Sequence, residues 1–151
     1  MRTFHTSVFI NAPKKRVWEI MFADKTYRQW TKPFNPTSYV KGDWSEGSEI
    51  WFLGTGENGE VGGMFSRIKS NRPYEFMSIQ HMGIVKPDGS VDTTSDEVKK
   101  WSPSMENYTF VDKDGGTDLQ IDVDLDEEYL EMFAGMWPKA LAILKELSEA
   151  K

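Results

Sequence analysis

Residues 126–149 read DEEYLEMFAGMWPKALAILKELSE, and this stretch decides the fold. Tyr129, Phe133, Met136, Trp137, Ala140, Leu144 and Leu147 recur every three or four positions, the spacing that gathers apolar side chains on one face of an α-helix. Asp126, Glu127 and Glu128 put negative charge in the first turn, where unpaired N–H groups favour it. At 1.5 Å per residue such a helix is ~35 Å long, enough to cross a whole sheet. Pro138 lies inside it and predicts a kink near Ala134 and Gly135.

The chain upstream supplies the sheet. Residues 3–10 alternate loosely and read as a first strand. Asn11-Ala12-Pro13 opens a helix whose apolar face is Val17, Trp18, Ile20 and Met21. Asp24 can cap a second short helix with Tyr27 and Trp30 on one side, ended by Pro33 and Pro36. Strand-like segments follow over 37–41, 48–53, 60–69, 74–85, 106–111 and 117–125, separated by turns rich in Gly, Asn and Pro. Asp112-Lys113-Asp114-Gly115-Gly116 is the strongest hairpin signal among them. Sequential hairpins predict an antiparallel meander. The expected class is α+β: one domain over 1–151, a curved antiparallel sheet of about six to seven strands wrapped around the long C-terminal helix, and two short helices after strand one.

Residues 86–103 stand apart as a polar connection too long for a simple hairpin. Thr94-Ser95-Asp96-Glu97 has a capping-box pattern before Val98-Lys99-Lys100-Trp101 and predicts a short helix there. Trp101 at its end suggests that the segment folds back onto something apolar and acts as a lid.

Composition excludes several classes. With 38% hydrophobic and 28% charged residues the chain is neither disordered nor membrane-spanning. There are no cysteines, hence no disulfide framework, thiolate nucleophile or Cys-based metal site. No apolar leader follows Met1, so cytoplasmic residence is expected. A net charge of −6 argues against nucleic acid as a partner.

The motifs with the most familiar spacing carry little. Gly54-Thr55-Gly56-Glu57-Asn58-Gly59-Glu60-Val61 fits G-x-G-x-x-G-x-V, yet a dinucleotide loop needs a helix next, and Val61-Gly62-Gly63-Met64-Phe65 is strand-like. Asp122-Val123-Asp124-Leu125-Asp126 begins like a calcium loop, but Glu127 stands where Gly is needed and Phe133 where Glu is needed. Only His5 and His81 could contribute imidazole, so no metal or other cofactor is expected.

Two features remain. Aromatic residues make up 13% of the chain, with six Trp and nine Phe; most fill the core, and the surplus of Trp and Tyr suits a wall that is apolar yet offers a few donors. Trp30, Trp51, Phe65, Trp101, Tyr108, Phe133 and Trp137 are the candidate wall of a cavity between sheet and helix, since a curled sheet leaves volume to line. His81 is in step with Met77 and Ile79 and joins Ile79 in that wall. It is either a core histidine bonded to a neighbour such as Tyr108, or a group that orients a ligand or moves a proton.

The order strand, two short helices, six strands, long helix resembles the helix-grip arrangement, and several motifs agree. Ile10-Asn11-Ala12-Pro13 with Val17-Trp18 is similar to the opening signature of the START-like (SRPBCC) superfamily. Trp30, Gly42, Glu46-Gly47, Asn71-Arg72-Pro73, Gly115-Gly116-Thr117 and the run from Gly135 to Leu141 resemble, more narrowly, its branch of activator-of-heat-shock-chaperone-ATPase homologues, in single-domain bacterial form. The superfamily includes lipid and steroid carriers, binders of hydrophobic metabolites, hormone receptors and polyketide cyclases. The resemblance therefore implies a protein that binds a small hydrophobic or aromatic molecule internally. It admits two other classes: a cavity enzyme using His81 for acid–base chemistry, and a chaperone-interacting module.

Overall fold

A computed structural model describes residues 1–150. Strand β1 (Arg2–Ile10) leads through Pro13 into α1 (Lys14–Phe22) and α2 (Asp24–Trp30). Pro13 stands at the cap of α1, where its missing N–H removes nothing from the helix. The indole N–H of Trp30 donates to the Met21 carbonyl at 2.9 Å and ties α2 back onto α1.

The strands that follow are β2 (Tyr39–Gly42), β3 (Glu49–Thr55), β4 (Val61–Arg72), β5 (Phe76–Val85), β6 (Val91–Asp92), β7 (Ser104–Lys113) and β8 (Gly116–Leu125). All pair antiparallel in the order β1-β8-β7-β5-β4-β3-β2, with β6 pairing β5 off that path. The eight strands exceed the six to seven expected, because β6 forms inside the polar segment 86–103. That segment also holds α3 (Asp96–Lys99), capped by Ser95, whose hydroxyl accepts from the Val98 N–H at 3.3 Å. β5 starts two residues later than its apolar pattern suggests, because Tyr74 sits at φ 68° in the turn before it.

Curvature comes from the β4–β5 pair. The register shifts at Phe65/Ser66, where Met82 of β5 is the extra residue, and at Ile68/Ser70, where Lys69 of β4 is, bend the two strands as bulges do. At Gly63 a β-carbon would lie 1.9 Å from the Phe52 carbonyl oxygen, so only glycine permits β3 and β4 to approach there. The glycine-rich stretch at 54–63 is the turn joining these strands, with Gly56 N–H donating to the Glu60 carbonyl at 2.8 Å.

The long helix α4 (Glu127–Glu149) runs through Pro138 without ending, and Asp126 caps it by accepting from Glu128 N–H at 3.0 Å. Arg16 closes the other end, donating to the carbonyls of Leu147, Ser148 and Ala150. Trp137, Ala140, Leu141 and Leu144 meet Ile10, Val17, Met21, Leu119 and Ile121 in the main core. The helix packs against β1, α1 and α2, and makes no comparably close approach to the central strands among the described residues. The curved sheet and the helix therefore diverge at one end. Together these features are a helix-grip α+β fold. No helix among the described residues is long and apolar enough to cross a membrane.

Candidate functional site

Where sheet and helix diverge there is a cavity of about 770 Å³, within the range of small-molecule sites. Trp30, Ile79, His81, Trp101, Tyr108, Phe133 and Trp137, seven of the predicted wall residues, line it. Trp51 and Phe65 do not. They pair with each other across β3 and β4 at 5.4 Å between ring centroids, with Lys41 over the Trp51 ring. The run Ile50-Trp51-Phe52-Leu53 has no polar residue to show its phase, and the phase puts Ile50 in the core and Phe52 in the cavity.

The rest of the lining is largely aromatic. Phe22 from α1, Tyr27 from α2, Trp44 from the β2–β3 connection and Phe52 from β3 meet in a chain of rings. Phe22 and Trp44 are 4.6 Å apart, Trp44 and Phe52 5.6 Å, and Tyr27 and Trp44 6.0 Å. The mouth is bordered by the β3–β4 turn, the 86–103 segment and the first turns of α4, which expose Tyr129 (46%) and Met132 (47%). The 86–103 segment contributes Pro87, Glu97 and Trp101, and Val98 anchors it in the interior.

On the sheet side of the cavity lies one polar cluster. His81 is only 7% exposed, and its Nδ1 is 2.6 Å from Ser66 Oγ. Its Nε2 is 2.8 Å from Glu106 Oε1, while the Tyr108 hydroxyl donates to Glu106 Oε2. Ser66 thus stands in the interior and its apolar neighbour Phe65 outside, because the hydroxyl has a partner inward. The predicted pairing of His81 with Tyr108 is replaced by a shared partner: both bond to Glu106, from opposite sides. Glu106 went unremarked in the sequence, although it is in step with the inward-facing Tyr108 and Phe110 on β7. An acidic residue on the apolar phase of a strand was the signal.

The ionisation of the cluster follows from its partners. Burial alone would raise the Glu106 carboxyl, but the hydrogen bond and charge of His81 and the Tyr108 hydroxyl outweigh it and hold it below the ordinary value. Burial raises the Tyr108 hydroxyl well above its usual value, and the neighbouring Glu106 charge adds to this. Tyr27 is raised for the same two reasons. At neutral pH the site therefore holds a carboxylate and two protonated phenols. Both His81 nitrogens are engaged, so within this cluster the polar surface offered to the cavity belongs to Glu106, whose side chain keeps 20% of its exposure. No group of three or more His, Cys, Asp or Glu able to hold a metal occurs among the described residues.

Solved structures share this architecture. The chain is similar to CV1439 from Chromobacterium violaceum, with 17% identity, a TM-score of 0.71 and 100% of both chains covered. It is similar to ChR145 from Cytophaga hutchinsonii, with 18% identity, a TM-score of 0.71 and coverage of 99% of this chain and 94% of that one. The crystal structure of CalU16 from Micromonospora echinospora matches at 17% identity and a TM-score of 0.67, over 98% of this chain and 76% of that one. At such identities the likeness is one of fold. No family model matches the chain, and no curated protein matches it.

Proposed function

We propose that this chain is a START-like protein that binds a small, largely hydrophobic molecule in the cavity between sheet and α4. The observation that carries this reading is the cavity itself: about 770 Å³, walled by aromatic side chains, with one polar cluster to orient an occupant. A core evolved only for stability fills such space, because voids cost packing energy. Screening lipids and aromatic metabolites by ¹H–¹⁵N NMR tests the proposal. The indole signals of Trp30, Trp44, Trp101 and Trp137 should move together, with little change at Trp51 on the outer face. A screen in which no apolar compound moves the four cavity indoles sinks it.

A second reading, acid–base catalysis in the same cavity, is favoured by one observation. Glu106 is a carboxylate facing an apolar chamber with its two oxygens fixed by His81 and Tyr108, an arrangement that sets a proton acceptor against a bound molecule. Its lowered carboxyl makes it a weaker base than an unpaired one. The base would then be Glu106, with His81 as a positioning residue that fixes the carboxylate through Nε2. Turnover of a bound compound, lost in Glu106→Gln and retained in part in His81→Gln, would support it. Equal loss in both variants would argue for His81 as the acting group.

A further inference from the structure

We infer, resting on the cavity-binding reading, that the occupant is a hydrophobic cation. Its protonated or quaternary nitrogen lies against Glu106 and the faces of Tyr27, Trp44 and Phe52.

The charge of the lining points this way. Glu60, Glu97, Glu106, Asp124 and Asp126 all border the cavity, whereas no lysine or arginine among the described residues does. Most of these acids are already engaged or lie at the mouth. Glu60 and Glu97 are solvent-exposed. Asp126 caps α4, and Asp124 accepts from the Thr3 hydroxyl and the Met105 N–H, both at 2.9 Å. Glu106 differs. It sits deep in the cavity and has no lysine or arginine partner, and its two bonds use only part of its acceptor capacity.

The bonding leaves Glu106 open towards the cavity. His81 Nε2 lies 2.8 Å from Oε1, the other ring nitrogen is taken by Ser66, and the Tyr108 hydroxyl donates from the other side. No lysine or arginine among the described residues meets the carboxylate, which faces an apolar chamber. A buried charge of this kind is costly unless a counter-charge joins it.

The rings complete the case. Tyr27, Trp44 and Phe52 lie mutually within 6.4 Å, and the Phe52 ring meets His81 edge-on at 5.7 Å. They therefore stand beside the carboxylate, and their faces attract a cation while tolerating its alkyl groups. An anionic ligand would be repelled by Glu106. A neutral apolar ligand would strip water from the carboxylate and return nothing.

Two soluble compounds of the same shape separate these cases: meta-hydroxyphenyl trimethylammonium and meta-tert-butylphenol, which differ only in the charged nitrogen. In ¹H–¹⁵N NMR titrations of the whole chain, the ammonium should bind about tenfold more tightly, about 1.4 kcal/mol. Glu106→Gln should bring the ratio of the two affinities close to one. If that variant does not fold, Trp44→Leu removes one ring face and should reduce the ratio several-fold. Equal affinities in the unmodified protein, or a preference for the phenol, overturn the cation inference and leave the cavity-binding reading standing. If neither compound moves the cavity indoles, both fall.

Discussion

From Trp137 onward, α4 buries Trp137, Ala140, Leu141, Leu144 and Ser148 against β1, α1 and α2. Before Trp137, the same apolar repeat leaves Tyr129 about half exposed, like Met132 beside it, and puts Phe133 on the cavity wall. The two halves carry one pattern and meet different surroundings. The second half has a sheet edge and a helix pair within reach, and the central strands curve away from the first. An amphipathic stripe records that a helix face is apolar, but not whether protein or a ligand covers it.

The contrast is easiest to break with Leu144→Ala, which removes a fully buried side chain and should cost about 2–5 kcal/mol in urea unfolding. A cost below about 1 kcal/mol would mean that the second half is not the anchor. Native-state hydrogen exchange offers the next largest difference. Amides of residues 139–147 should open near the global unfolding free energy and those of residues 130–136 well below it. Uniform protection along α4 would erase the distinction.

Glu106 carries the comparison to the cavity floor through pH. Its carboxyl is held below the ordinary 4.5 in the folded state, so at acid pH the unfolded chain binds this proton first. The stabilisation is complete above about 4.5 and fades as pH falls through the depressed folded value. The stability gap between the unmodified chain and Glu106→Gln should therefore be larger at neutral pH than near pH 3. A gap that does not change with pH would contradict the ionised assignment. Smallest in stability is Met132→Ala, expected within about 0.5 kcal/mol because the residue is exposed. Its effect should appear instead in the release rate of a cavity ligand, and an unchanged rate would remove Met132 from the mouth.

Legibility followed the quality of the local pattern. Ile79 and His81 could be placed because β5 alternates through Met77, Ile79 and His81 with small or polar residues between the first pair. Trp51 was misplaced because its neighbours on both sides are apolar, and Phe65 because the inward positions Met64, Ser66 and Ile68 keep the count of two through a polar Ser66, which an apolar pattern does not show. Glu106 was overlooked since a single carboxylate looks like any solvated one until its partners are known. His81 on β5 and Tyr108 on β7 flank it, and no sequence spacing reveals that pairing.

By itself, the sequence determined the elements: a one-faced helix over 126–149, short helices after Pro13, and hairpins punctuated by Gly and Asn. These depend on periodicity, capping and turn chemistry, which act between residues near one another in the chain. Only the tertiary structure decided that sheet and helix diverge at one end, and that Ser66, His81, Glu106 and Tyr108 join there among Tyr27, Trp44 and Phe52. That outcome depends on strand register, on two bulges between β4 and β5 and on the close approach allowed at Gly63. Each sets distances between residues far apart in sequence, and no local pattern encodes such distances.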